Sequence, residues 1–244
     1  MIYVINHKDE DLKLVSGYKE LKVGDAFKDT NTDNINQYNK YLAETTGIYW
    51  LWKNCKDDII GVCHYRRFLH DYNGKLLDLY DIDKLLDEFD IITENIISIN
   101  RNNYLFNNDI ITYNELQAKR KTMYTLYQYL EYQLTLGYKY QTRKELFDKY
   151  MDMIESYDDD FIYYLKTSTV FAPHNIFIAK RDIFNNYCES LFKILLPVIE
   201  EYSKDPDNYV YTESNECRFI GFIAERFLSY FIDSNHLSDI RFQS

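Results

Sequence analysis

Three short runs rich in β-branched and aromatic residues, "IYVIN" at 2–6, "DIIGVCHYRRF" at 58–68 and "DIITENI" at 90–96, alternate with stretches of helical spacing. Between the first two, "DNINQYNKYLAETTGIYWLWKNC" (33–55) places apolar residues at 35, 38, 42, 49 and 52, with Asp33 or Asn34 suited to cap a helix. "LLDLYDIDKLLDEF" follows a turn at Asn73-Gly74 and is amphipathic. "YKELKVGDAF" (18–27) adds a second extended piece broken at Gly24. Such alternation predicts an α/β fold with helices on both faces of a mixed sheet, and the first hundred residues read as a Rossmann-like half.

The chain then changes character. From about 110 to 165 it is rich in Tyr, Lys, Glu and Gln, as in "ELQAKRKTMYTLYQYLEYQLTLGYKY", which predicts a helical insertion. "TVFAPHNIFIAKRDIF" (169–184) returns to strand-like composition. It is followed by the helix "FNNYCESLFKILLPVIEEY" and, at 215–232, by a last helix that is apolar nearly all round. The expected organisation is one domain over 1–244, made of a first half (1–100), the insertion (110–165) and a second half (169–244).

Charge limits the partners. Lys and Arg number 28 against 39 Asp and Glu, giving −11, and such a chain repels a polyphosphate backbone, so no nucleic acid is expected. Cys55, Cys63, Cys188 and Cys217 form no C-x-x-C pair, which fits reduced thiols in the cytoplasm. No apolar run reaches the roughly 18–20 residues of a membrane span, and no signal peptide is evident. The 25 Tyr and 15 Phe are expected mainly in the core, while leaving room for peripheral contact with a membrane surface.

Against this acidic background, His64-Tyr65-Arg66-Arg67 stands at the end of a nearly uncharged strand. Ligands of open α/β sheets sit beyond the carboxyl ends of strands, where His7, His64 to Arg67 and Asn175 would meet. Continued strand alternation would send His64 and Arg66 to one side and Tyr65 and Arg67 to the other. Guanidinium forks suit a diphosphate, although pairing with carboxylates would serve equally as a structural role. Glu44, inside a helix, needs a partner or a raised pKa. Arg218 and Glu225 lie seven residues apart, on one face of the last helix. A Gly-rich phosphate loop, a nucleophile elbow and an H-E-x-x-H motif are all missing.

The blocks "IYVINHK", "VGDAF", "DNINQYNKYLAETTGIYWLWKN", "IIGVCHYRRFL", "HNIFIAKRDIFNNYCESLF" and "RFIGFIAERFLSYF" resemble, in order and spacing, those of the family called domain of unknown function 4422. Its members are bacterial capsular and exopolysaccharide glycosyltransferases, some assigned as galactofuranosyltransferases. The resemblance implies a GT-A-like fold and a nucleotide-sugar donor. By this resemblance the family's motif positions map to His7, to Asp33 with Asn34, to Glu44 with Thr46, to residues 64–67, to Asn175, Ile176 and Phe177, and to Arg218, Gly221 and Phe222. Two departures stand out. A Tyr-x-x-x-His-x-x-x-Asp stretch common in the family has no matching histidine here, and Ser190 replaces the usual Trp after Tyr-Cys-Glu.

Many GT-A enzymes hold a metal with Asp-x-Asp at the end of this strand. Here cationic side chains take that place, so no cofactor is expected. A divalent metal would need carboxylates from elsewhere, such as Glu213 or Glu216. The resulting expectation is an inverting transferase acting from a UDP-sugar on a lipid-linked or oligosaccharide acceptor, in the cytoplasm or at the inner face of the cell membrane. Donor binding is expected from His7, Gly24, Asp33, Asn34, Tyr65, Arg66, Arg67, Asn175 and Arg218. Chemistry is expected from His64, Arg66 and Arg67 with a base among Glu216, Glu225 and Asp158-Asp159-Asp160. A non-catalytic carbohydrate- or nucleotide-binding module and a sugar phosphotransferase are the alternatives.

Overall fold

The computed structural model describes residues 1–98, 125–135, 140–204 and 218–244. They form two compact units, one from Met1–Asn95 with Ala172–Ser244 and one from Ile96–Phe171.

The first unit is built on a six-stranded sheet of order β2-β1-β3-β7-β4-β8. Its strands are β1 (Ile2–Asn6), β2 (Tyr18–Lys22), β3 (Ile59–His64), β4 (Ile91–Glu94), β7 (Phe177–Lys180) and β8 (Asp239–Phe242). β1 pairs in parallel with β2 and β3, β4 pairs in parallel with β8, and β7 runs antiparallel between β3 and β4. All five residues of β1 are buried because the strand is flanked on both edges and covered on both faces, which explains its unbroken apolar run. β2, at the sheet's edge, alternates more.

The segment 33–55 is not one helix. A 3-10 turn at Asn36–Tyr38 leads into α1 (Asn39–Leu42), and α2 (Thr45–Asn54) begins after a break. Ala43 adopts φ 48 and ψ −126, and its carbonyl accepts hydrogen bonds from Asn39 Nδ2 (2.9 Å) and Thr46 Oγ1 (2.8 Å). Side chains thus satisfy a carbonyl that an uninterrupted helix would have used itself. α2 lies against β1 at Gly47, where a Cβ would come within 2.7 Å of Ile5 Cδ1.

α3 (Leu79–Glu88) starts later than the apolar pattern suggests, since Asp78 caps it by accepting from the Asp81 N–H at 2.9 Å. The strand-like stretch 169–184 holds only short strands, because α7 (Arg181–Tyr202) begins directly after β7. Phe192 of α7 stacks on Trp52, with ring centroids 5.6 Å apart, and meets Tyr49 edge-on at 5.0 Å. α8 (Phe219–Ser234) is the last helix, and the predicted residues 215–217 lie outside the described ones.

The second unit pairs β5 (Ile97–Ser98) with β6 (Val170–Phe171) and contains α4 (Leu126–Thr135), α5 (Tyr140–Glu155) and α6 (Asp159–Thr167). Its core includes Leu126, Leu130, Phe147, Ile154, Phe161 and Leu165. Of the expected insertion, 110–124 and 136–139 lie outside the described residues. Asp158 caps α6 by accepting from the Phe161 N–H at 2.8 Å, so the first residue of the Asp158-Asp159-Asp160 run has a structural duty. Among the described residues, no helix is long and apolar enough to cross a membrane.

Candidate active site

From β1 the chain proceeds to β2 on one side, and β3 joins β1 on the other, so a topological switch lies between β1 and β3. The carboxyl ends of such strands diverge into a crevice. A recess of about 60 Å³ occurs there, and among its lining residues are His7, Asn39, Glu44, His64, Arg66 and Arg218. Its size suits a phosphate or a few ligand atoms, with a larger ligand extending over the rim.

The cationic segment does not continue as a strand. β3 stops at His64, and the Arg67 N–H bonds back to the His64 carbonyl at 2.9 Å, closing a tight turn. The alternation expected for residues 64–67 is therefore replaced by turn geometry: Arg66 is exposed and lines the recess, whereas Arg67 is half-buried and does not. Tyr65 organises the group. Its ring meets His7 edge-on at 5.0 Å, lies 4.4 Å from the His64 ring, and carries the Arg66 guanidinium 5.0 Å from its centre. Arg66, Arg67 and Arg218 form no ion pair among the described residues, leaving their forks available.

The histidines are kept neutral. His64 is pushed down to about 3 by burial first, then by Arg67 and Arg66, while burial and Arg218 lower His7. The unfolded chain takes up the His64 proton below about 6.5, whereas the folded chain resists it down to about 3, so stability is lost as pH falls through that window. Denaturant unfolding at pH 7 and pH 5 is expected to show this loss in the wild type and a smaller one in His64→Gln. An equal slope in both would contradict the burial of a neutral His64.

A carboxylate that sequence reading placed inside a helix lines the recess. Because the chain breaks at Ala43, Glu44 is freed from α1, and one of its oxygens accepts from Asn175 Nδ2 at 3.0 Å. Glu44 is pushed up to about 7, by burial first and by Glu225 second. Glu225, ion-paired to Arg226 at 3.1 Å, is itself raised by burial. Asn175 and its neighbour His174 have φ of 52 and 62, in the left-handed region, and His174 Nδ1 lies 3.1 Å from Glu94. On α8, Arg218, Gly221 and Glu225 share one face, and a Cβ on Gly221 would come 2.9 Å from the Tyr41 carbonyl oxygen. This close approach of α8 to α1 brings Glu225 toward Glu44.

Other expected residues do not line the recess themselves. Asp33 accepts from Tyr49 OH (3.0 Å), and Asn34 bonds to the Thr32 carbonyl and the Asn36 N–H, so both brace the segment around α2 and neither lines the recess. Gly24, at φ 67, exchanges two hydrogen bonds with the Asn36 side chain and has no room for a Cβ against Asn39 Oδ1. Asn175 reaches the recess through Glu44. Glu216, like Glu213, lies outside the described residues. Glu44 had a local signal: a carboxylate followed by Thr45-Thr46-Gly47, residues that weaken a helix. A second groove, about 410 Å³, runs beside the edge strand β2, with Tyr3, Phe27, Lys28 and Trp50 among its lining residues.

A mixed sheet with one reversed strand, flanked by helices and carrying a polar recess at its switch point, is a GT-A-like α/β fold. The chain belongs to the family described as Domain of unknown function (DUF4422), whose model matches residues 1–236. Among solved structures it resembles the apo form of the WbbM bifunctional glycosyltransferase, with a TM-score of 0.63 and 23% identity. That match covers 99% of this chain and 44% of the other, so the chain spans less than half the length of that protein. Comparison with curated proteins found no match.

Proposed function

We propose that the chain is a glycosyltransferase that moves a sugar, with inversion, from a nucleoside-diphosphate donor to a hydroxyl of a lipid-linked or oligosaccharide acceptor in surface-polysaccharide synthesis. The observation that carries this reading is the convergence of Arg66 and Arg218, neither in an ion pair among the described residues, on a recess at the switch point of a GT-A-like sheet. Charge-assisted contacts from two guanidinium groups suit the diphosphate and the charge it gains on leaving. The nucleoside belongs to the side built by residues 1–100, and the acceptor to that of 169–244. The donor is a UDP-sugar, with UDP-galactofuranose the first to test, as the family resemblance suggests. The work is assigned to the cytoplasm or the inner face of the cell membrane.

The end of β3 offers His64, Tyr65, Arg66 and Arg67 where oxygen ligands for a divalent metal would be required, so we assign charge neutralisation to the arginines. A screen of nucleotide sugars by thermal shift, followed by donor hydrolysis without acceptor, is expected to find one UDP-sugar that binds and is slowly hydrolysed. Hydrolysis should persist in EDTA. Loss in EDTA restored by Mn²⁺ or Mg²⁺ would contradict the arginine assignment, and binding without hydrolysis or transfer would indicate a non-catalytic module.

A further inference from the structure

We propose that Glu44 takes the proton from the acceptor hydroxyl and that Glu225, brought toward it by the close approach of α8 to α1 at Gly221, is the positioning residue that acts through it. This rests on the glycosyl-transfer reading above. Separate backbone arrangements meet at this carboxylate. Ala43, in a sparsely populated conformation, turns Glu44 out of α1, left-handed Asn175 presents its amide to Glu44 at 3.0 Å, and Gly221 admits α8 against the Tyr41 carbonyl. A carboxylate serving only as a brace for Arg218 would not require a second carboxylate brought toward it, since like charges in a water-poor site repel.

Charged and titratable groups reach Glu44 from every side. Glu225 opposes its ionisation, and Arg218 together with the Asn175 hydrogen bond favours it. Glu225 in turn feels Arg226, His174 and Glu94. His7, His64 and Arg66 share the recess, and Tyr187 of α7 stands within electrostatic reach. The balance leaves Glu44 near 7, where a general base combines an ionised fraction with useful basicity.

In the step itself the acceptor O–H bond breaks, its proton passing to a Glu44 oxygen and its electron pair staying on the acceptor oxygen, which bonds to the anomeric carbon. The bond from that carbon to the diphosphate oxygen breaks, and its pair leaves on the diphosphate. Negative charge thus moves from Glu44 to a group beside Arg66 and Arg218, and Glu44 later releases its proton to solvent.

The test uses the full chain with the donor identified by the screen, and UDP as the binding probe. Glu44→Gln is expected to bind UDP within about twofold of wild type while kcat falls about 100-fold or more, in line with the usual contribution of a general base. Wild-type kcat, or UDP affinity falling in step with kcat, would overturn the proposal, the latter by showing a brace for the arginines. The wild-type rate should rise with pH through an acid limb near 7, and Glu225→Gln, which removes the repelling charge, should move that limb to lower pH. An unmoved limb would overturn the role of Glu225. Should Glu44→Gln not fold, Glu44→Asp retracts the carboxylate by one methylene, and its kcat is expected to fall at least tenfold; an undiminished value would overturn the proposal. A wild-type chain inert toward every donor would overturn the glycosyl-transfer reading and this proposal with it, whereas an active wild type with an unaffected Glu44→Gln overturns this proposal alone.

Discussion

Arg66→Ala and Arg218→Ala are each expected to weaken donor binding by roughly 30- to 150-fold, with little change in unfolding free energy. Both guanidinium groups border the recess, and neither forms an ion pair among the described residues, so truncation chiefly removes contacts to the donor, although Arg218→Ala also removes a charge that favours ionisation of Glu44. A hydrogen bond to a charged group contributes about 1.5–3 kcal/mol, and each 1.4 kcal/mol is tenfold in affinity, so the loss of one such bond to a diphosphate costs roughly 10- to 150-fold, and the expected losses are the upper part of that range. Arg67→Ala, whose side chain does not line the recess, should cost clearly less. Titration of UDP into the three variants decides the matter. Equal losses in all three would indicate a general electrostatic field and not directed contacts.

The second large effect is expected at Gly221→Val. At 2.9 Å from the Tyr41 carbonyl oxygen, even the first added carbon is too close, and backbone cannot swing aside as a side-chain tip can. α8 would have to retreat, loosening Phe219, Ile220, Ile223 and Ala224, all buried around this contact. Overpacking of this kind costs about 2–3 kcal/mol. Because Glu225 rides on the same face of α8 as Gly221, turnover should fall as well, by more than the unfolded fraction explains. Denaturant unfolding and kcat measured together test this, and a Gly221→Val chain with wild-type stability would mean that α8 does not rest on α1 as described.

What was legible in the sequence was local. β1, β3 and β4 announced themselves because strands covered on both faces carry uncharged runs, and His64 to Arg67 stood out against an acidic chain. β8, "DIRF", could not be read, since its strand character comes from pairing with β4 nearly 150 residues earlier. The break at Ala43 was marked only weakly, by Thr45-Thr46-Gly47: helical spacing persists across it, while the bonds from Asn39 and Thr46 that stabilise it depend on their arrangement in space. That break decides the site, because it converts Glu44 from a residue inside a helix into part of the recess. The approach of Glu225 was equally out of reach. Spacing placed it on one face with Arg218, but only the missing Cβ at Gly221 shows which element that face meets. Asp33 and Asn34, expected at the donor from the family resemblance, do not line the recess: Asp33 accepts from Tyr49 of α2, and the Asn34 side chain bonds to Thr32 and Asn36 in its own segment.

The recess at the ends of β1 and β3 is expected to hold the donor diphosphate. A crystal structure of the chain soaked with UDP, in the presence of EDTA, tests it most directly. Diphosphate oxygens are expected within hydrogen-bond distance of the Arg66 and Arg218 guanidinium groups, between His7 and His64. UDP seated instead in the groove beside β2, among Tyr3, Phe27, Lys28 and Trp50, would contradict it.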